Sequence, residues 1–241
     1  MGVIVPGIYS QASGMAWAPN LWGWDEVPLR RALEERISVP LAIDSDRSGC
    51  VLGEQWLGAA RGLGDVVFVA VGTGIGVGIL AGGRLIRGAH GIAGAAGWFA
   101  LDPRWKRIYG QVGCWEAEAS GPAVARRAGE AAAETVAEAA RRGDSKALQV
   151  LEDTAEYLAM GLANILSLLN PEMIVLGGGL MQAGDLLLEP VRRRMVRWAQ
   201  PVAMKRTRIE LTQLGGNAGL LGAARLAFLR LERNQGDTDV G

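Results

Sequence analysis

The sequence predicts an α/β fold, and three observations carry that prediction. Short apolar runs of strand character alternate with stretches of helical period, as at residues 66–71 and 145–169. Glycine-rich turns follow the apolar runs at 72–78 and 177–179. The chain, 241 residues with 49% hydrophobic and 21% charged, is long enough to bury a sizeable core as one large domain or two lobes.

In chain order, residues 2–5 (Gly-Val-Ile-Val) read as a short strand stopped by Pro6-Gly7, a turn dipeptide. Residues 28–37 are helical, with Leu29, Leu33 and Ile37 four apart, and 39–43 read as the next strand before a loop containing Asp44, Ser45 and Asp46. A helix over 48–60 precedes the apolar strand 65–71. The glycine-rich segment 72–78 then leads back into a strand at Ile79-Leu80 that turns at Gly82-Gly83. A long helical stretch covers 121–142. Gly143-Asp144 breaks it, and Ser145 is expected to cap a helix ending at Leu169, where Asn170-Pro171 stops it. The apolar face of that helix includes Leu148, Leu151, Leu158, Leu162 and Ile165. Residues 173–176 form a buried strand ending in Gly177, Gly178 and Gly179; a helix covers 185–198, a last strand 209–212 and a last helix 218–231, before a polar tail.

Composition narrows the function classes. Lys plus Arg and Asp plus Glu both total 25, so no global field draws nucleic acid or an anionic membrane, and the expected partner is a small molecule. Cys50, Cys114 and the lone His90 are too few for a disulfide scaffold or an ordinary zinc site, which suits a reduced cytoplasmic setting. The longest apolar stretch, 66–81, is broken by glycines and shorter than the roughly 20 residues of a spanning helix. The first residues carry no basic region of a signal peptide.

Strand, glycine turn, strand at 66–80 is a hairpin, not the strand-to-helix turn of a dinucleotide site, and no Gly-Lys dipeptide of a Walker loop occurs. Such a hairpin is either a tight turn where backbones approach, or, with the Thr73 hydroxyl among exposed N–H groups, a phosphate cradle. Asp46 alone reads as a capping carboxylate or as a base. The triple glycine at 177–179 is equally open.

Taken together, Val5-Pro6-Gly7, Ala18-Pro19-Asn20-Leu21, Ser45-Asp46 through Glu54, Gly72-Thr73-Gly74-Ile75-Gly76, Arg87-Gly88-Ala89-His90-Gly91-Ile92-Ala93-Gly94, Gly113-Cys114-Trp115-Glu116, Asn170-Pro171-Glu172 through Gly179, and Ala218-Gly219-Leu220-Leu221-Gly222-Ala223 stand in the order of the ROK family of sugar kinases and sugar-responsive repressors. The chain resembles that family from Val3 to Leu226. The resemblance implies an actin-like ATPase (ribonuclease H-like) fold, two α/β lobes closing over sugar and ATP. Residues 1–44 would form a partial N-terminal lobe completed by helix 218–231, residues 45–217 the C-terminal lobe, and 232–241 a flexible tail. It further implies ATP-dependent phosphorylation of a hexose or hexose-like sugar. Asp46 would be the general base, Asn20, Ser45, Asp46, Trp98 and Glu116 would stand at the sugar, and Gly72, Thr73, Gly74, Gly177, Gly178 and Gly179 at Mg2+-ATP. A homodimer is compatible with this likeness, while the cytoplasmic setting and the expectation of neither nucleic acid nor membrane as partner come from the composition. The alternatives are a non-catalytic sugar sensor and an inactive fragment.

Departures from the family pattern set further expectations. Ser45 stands where the family has asparagine, Ala95 where it has a sugar-binding glutamate, and Trp98 where it has a histidine that is both sugar contact and zinc ligand. Trp98 either plugs the vacated space or stacks on a sugar face. The zinc cysteines fall at Arg107 and Tyr109, leaving Cys114, so no zinc is expected. Trp22 and Trp24 pack, or line the sugar entrance. The family's N-terminal Asp-x-Gly-Gly-Thr phosphate turn does not occur among the 241 residues. The N-terminal lobe is therefore expected to be incomplete, turnover by these residues alone to be low, and the reading frame upstream of Met1 to encode the missing strand pair.

Overall fold

In the computed structural model the described residues are 1–23 and 25–236, without the side chains of Asn20 and of residues 233–236. Trp24 and the end of the tail, 237–241, lie outside them. In chain order the elements are β1 (Gly2–Val5), β2 (Ile8–Tyr9), β3 (Ala16–Trp17), α1 (Pro19–Trp22), β4 (Glu26–Val27), α2 (Leu29–Glu34), β5 (Ala42–Ser45), α3 (Asp46–Leu57), β6 (Val66–Val71), β7 (Ile75–Ala81) and β8 (Arg84–Leu85). They continue with α4 (Tyr109–Val112), α5 (Cys114–Ala119), α6 (Gly121–Ala128), α7 (Ala133–Arg141), α8 (Ser145–Leu169), β9 (Met173–Gly177), α9 (Gly184–Trp198), α10 (Pro201–Arg206), β10 (Arg208–Leu211) and α11 (Ala218–Gly236).

The chain divides into two compact units. The first comprises Met1–Phe68, Gly78–Gly94 and Thr212–Gly241, and the second Val69–Val77 and Ala95–Leu211. A boundary at residue 44 would cut through the first unit, because α3 packs against both α11 and β1.

In the first unit β1 and β5 pair in parallel, Gly2 opposite Ala42 and Val5 opposite Ser45. Side chains alternate across a strand. Val3 and Val5 therefore face a small core with Tyr9, Ala16, Ala18, Leu41 and Ile43, while Ile4, on the other face, meets the backbone of α3 at Gly49 and of α11 at Gly219. The strand expected at 39–43 begins only at Ala42 and runs through Asp44 and Ser45, which the sequence suggested as loop. The pairing with β1 decides this, since Val39 and Pro40 lie beyond the partner strand and Asp44 and Ser45 lie opposite Ile4 and Val5. α3 accordingly starts at Asp46 rather than at residue 48. A small antiparallel sheet of order β2-β3-β4, too short to show any period in the sequence, covers the remaining face of the core.

The larger sheet has the order β10-β9-β6-β7-β8; β10 and β9 of the second unit pair in parallel, Met173 opposite Arg208, whereas β6 and β7, joined by the tight turn at 72–74, form an antiparallel hairpin. The centre of the second unit is α8, whose Leu151, Ala155, Leu158, Leu162 and Ile165 are buried and which packs on α9 and α5. Leu148 departs from that face and is 40% exposed. The cap of α8 is Asp144, not Ser145: its Oδ1 accepts the Ala147 N–H at 2.8 Å. The helical stretch expected over 121–142 is two helices, because Gly129 closes α6 in the left-handed conformation at φ 79°. Among the described residues no helix is long and apolar enough to cross a membrane.

The approach of α3 to α11 is a backbone contact. A Cβ on Gly222 would lie 1.7 Å from the Gly49 carbonyl oxygen, and one on Gly53 would lie 2.2 Å from that of Ala218. Gly222→Ala is therefore expected to push the helices apart and lower stability by about 2 kcal/mol or more, read as a lower urea midpoint at unchanged m-value.

Candidate functional site

Each unit carries part of the predicted constellation. In the first, β5 ends and α3 begins within three residues, Asp44, Ser45 and Asp46. Ser45 is the N-cap of α3. Its hydroxyl oxygen accepts the Ser48 N–H at 3.3 Å and is 3.1 Å from the Ser48 hydroxyl, so it is engaged in holding the helix start. The two carboxylates beside it differ in use. Asp44 is buried; its Oδ1 accepts the Ser45 N–H at 2.8 Å and its Oδ2 accepts from Arg87 Nε at 2.7 Å. Asp46 is the first residue of α3, and its Oδ1 accepts the Arg47 N–H at 2.8 Å. Arg47 in turn donates to the Gly7 carbonyl at 3.3 Å. Burial raises the Asp46 pKa above its ordinary value, opposed by the Arg47 N–H and charge. Asn20 is the second residue of α1, and its side chain lies outside the described ones.

In the second unit the Gly72-Thr73-Gly74 turn closes with the Gly72 N–H donating to the Gly74 carbonyl at 2.9 Å. The N–H of Gly121, first residue of α6, donates to the Gly72 carbonyl at 2.8 Å, setting a helix start against the turn. An open cavity of about 540 Å³ is lined by Gly72, Thr73, Gly121, Arg126, Glu134 and Gly179 among others. A Cβ on Gly72 would face the Gly179 N–H at 3.5 Å, so backbone from both glycine segments borders the same space. A smaller cavity of about 170 Å³ shares Ala133, Glu134, Gly179 and Leu180 with it and extends to Gln182 and Arg141. The first N–H groups of α6 are taken by the Gly72 carbonyl and the Ser120 hydroxyl, so what this space offers the phosphates of a nucleotide is the Thr73 hydroxyl, backbone of the two glycine segments and the positive dipole end of α6. Of the three glycines at 177–179 only Gly179 reaches the cavity. Gly177 ends β9, and Gly178, at φ 92°, lets the chain pass the Val71 backbone, where a Cβ would lie 2.5 Å from the carbonyl oxygen.

Glu116 stands in the first turn of α5, and its Oε2 accepts the Ile75 N–H at 2.8 Å. The slot exists because Gly74 and Gly97 lack side chains: a Cβ on either would come within 2.6 Å and 3.0 Å of that oxygen. Burial raises the Glu116 pKa, with the Ile75 N–H opposing. Trp98 ends a 3-10 turn, Ala96–Trp98, and its ring is 58% exposed. It does not plug a core.

The residues at the positions matching the zinc cysteines do not suit a metal. Cys114 Sγ accepts the Leu101 N–H at 3.4 Å, while the Tyr109 hydroxyl donates to Glu118 Oε1 at 2.5 Å. Glu118 also receives Lys106 Nζ at 2.5 Å and Arg127 at 3.0 Å, and Arg127 donates to its main-chain oxygen at 2.9 Å. Burial works to raise the Glu118 pKa, but the bonds from Lys106 and Tyr109 and the charges of Lys106 and Arg127 outweigh it and hold it below the ordinary value. Among the described residues no three His, Cys, Asp or Glu side chains are grouped to hold a metal ion. Neither Glu118 nor Arg126 stands out in the sequence, and Arg87 does so only as the first residue of the 87–94 stretch, with no sign of its bond to Asp44. Only the Ser120-Gly121-Pro122 helix start, a capping serine before an early proline, carried a readable signal.

The model of the ROK family matches residues 1–229. The chain is 33% identical over 247 residues to a glucokinase of Halalkalibacterium halodurans, covering 94% of this chain and 75% of that protein. It is 29% identical over 248 residues to a xylose repressor of Caldicellulosiruptor bescii, covering 95% of this chain and 62% of the repressor. Among solved structures, a ROK family glucokinase from Streptomyces griseus in complex with glucose and AMPPNP is similar with a TM-score of 0.80 at 30% identity, over 93% of this chain and 80% of that one.

Since Arg107, Tyr109 and Trp98 cannot complete a zinc site around Cys114, metal analysis of purified protein is expected to find no stoichiometric zinc. A chelator should leave the melting temperature unchanged, because no folding free energy is tied to a metal.

Proposed function

The chain belongs to the ROK family and adopts the actin-like ATPase fold of its sugar kinases, and from this premise we propose that it transfers the terminal phosphoryl group of ATP to a hydroxyl of a hexose or hexose-like sugar. The observation that carries this reading is the contrast between Asp44 and Asp46. Asp44 is held by Arg87 and the Ser45 N–H. Asp46 is half-buried, held among the described residues by neighbouring backbone N–H groups and not by an ion-pair partner, and raised in proton affinity, the condition of a carboxylate that accepts a proton from an attacking hydroxyl.

ATP, with Mg2+, supplies the phosphoryl group and the neutralising charge. Gly72, Thr73 and Gly74, with Gly179, form the cradle that holds its phosphates, the donors being the Thr73 hydroxyl and N–H groups other than that of Gly72, which goes to the Gly74 carbonyl. Glu116, with Oε2 occupied by Ile75, keeps Oε1 as an acceptor for a sugar hydroxyl. Asn20 completes the polar contacts, and Ser45, whose hydroxyl is engaged by Ser48, acts beside the sugar by holding the start of the helix that carries Asp46. Ala95 offers no acceptor where family members have a carboxylate, and the exposed ring of Trp98 offers a face on which a sugar stacks. The preferred sugar accordingly differs from that of a site with glutamate and histidine at these positions.

A second reading has support from the likeness to a xylose repressor: a module that binds sugar and does not turn it over. ADP release screened over common hexoses, aminosugars and their epimers separates the two. It is measured on this chain and on any in-frame longer form. Turnover with any sugar favours the kinase, and saturable sugar binding without turnover favours the sensor.

Asp46→Asn is expected to keep sugar affinity within a few-fold and to lower turnover by about 100-fold to 10,000-fold. The acid limb of kcat/KM should lie above the ordinary aspartate range, since the raised Asp46 must lose its proton to act. An active Asn variant removes Asp46 from the role. In a folded Ala95→Glu, Trp98→His double variant the profile should move toward glucose-like sugars, and an unchanged profile counts against both positions as sugar contacts.

A further inference from the structure

The first unit carries a cavity of about 700 Å³ that no step of the proposed reaction uses. Its polar lining is Gln11, Arg30, Asp44, Arg84, Arg87 and Arg230, four guanidinium groups against one carboxylate on a chain whose net charge is zero. That carboxylate is already committed, since Asp44 accepts from the Ser45 N–H at 2.8 Å and from Arg87 at 2.7 Å. Arg30 gives one nitrogen to Glu34 at 3.3 Å in a pair whose glutamate is half exposed, a weak restraint. Neither Arg84 nor Arg230 has an ion-pair partner among the described residues.

Solitary surface arginines are ordinarily solvated and carry no message. Here Arg30 and Arg87 keep only 28% and 30% of their side-chain surface in contact with solvent, and they share one concavity with two further guanidiniums. Like charges around a concave wall focus a positive potential and concentrate anions. The forked donors of arginine match the oxygens of a tetrahedral phosphate, which a compact ammonium does not. Gln11 is fixed at the rim by the bond from its Nε2 to the Ile43 carbonyl at 2.7 Å, so the wall is formed without the ligand.

We propose that this cavity binds a small phosphate-bearing anion, through Arg84 and Arg230 with Arg30 and Arg87 behind them. The site is separate in chain and unit from the glycine cradle at Gly72 and Thr73. Arg87 is shared between the anion and Asp44, two residues before Asp46, so occupancy bears on the end of the strand that carries the proposed base.

The test is calorimetric titration of the whole chain with inorganic phosphate at low ionic strength, with hexose 6-phosphate and ADP as further arms. Saturable binding of inorganic phosphate is expected. It should weaken about tenfold or more in an Arg84→Glu, Arg230→Glu double variant whose circular dichroism is unchanged. Should that variant unfold, Arg84→Gln and Arg230→Gln singly should each weaken binding several-fold. Thr73→Val should leave the phosphate affinity as it is. Tighter binding of hexose 6-phosphate, lost with the same arginines, assigns the site to sugar phosphates; equal affinity for inorganic phosphate assigns it to the free ion. The proposal is overturned if inorganic phosphate does not bind, if folded arginine variants bind it as the parent does, or if Thr73→Val abolishes binding that the arginine variants retain.

Discussion

The position of Asp46 depends on how closely α3 and α11 approach each other. Helices with ordinary side chains between them keep their axes about 8–10 Å apart. Gly49, Gly53, Gly219 and Gly222 remove those side chains, and Ile4 of β1 fills what remains. The far end of α3 is tied down by Glu54, a fully buried carboxylate. Its Oε2 accepts the Ala59 N–H at 2.8 Å, while Oε1 accepts from Leu214 N–H at 3.1 Å and from the Thr212 hydroxyl. A buried charge is tolerated only when its lone pairs are used in this way. One helix is thus held along its length by backbone contact and at its C-terminal end by a satisfied carboxylate, which leaves its N-terminus as a fixed platform.

The same division of labour recurs in the two units. Asp44 and Asp46 are two residues apart, and so are Glu116 and Glu118. In each pair one carboxylate is saturated by arginine or lysine and serves the fold, Asp44 through Arg87 and Glu118 through Lys106, Tyr109 and Arg127. The other, Asp46 or Glu116, is bound among the described residues only through backbone N–H groups, and burial raises its proton affinity. A saturated neighbour fixes the backbone on which the open carboxylate stands, and this rigidity is what a group that must meet a substrate requires.

The sequence was most readable where a hydrophobic period was long or a run was purely apolar, as in α8, α9 and β6. It misled at β5, where Val39 and Pro40 have the look of a strand start but lie past the end of β1, and where the polar Asp44 and Ser45 are strand because their partners are. The two-residue strands β2, β3 and β4 have no period to read. Asp46, Glu116 and the glycine hairpin could be picked out by order along the chain. The role of Arg87 could not, because its bond to Asp44 spans 43 residues, and the role of Glu118 rests on three partners that only the folded segment brings together. Of the glycines at 177–179, composition gave no means of telling Gly178, which serves β6, from Gly179, which borders the cavity.

The hub at Glu118 has a consequence for the order of assembly. All four of its side chains lie between Lys106 and Arg127, so its contacts close short loops and can form early, ahead of the parallel pairings that join distant strands. The segment bearing Glu116 can therefore acquire its shape from parts that emerge together during synthesis.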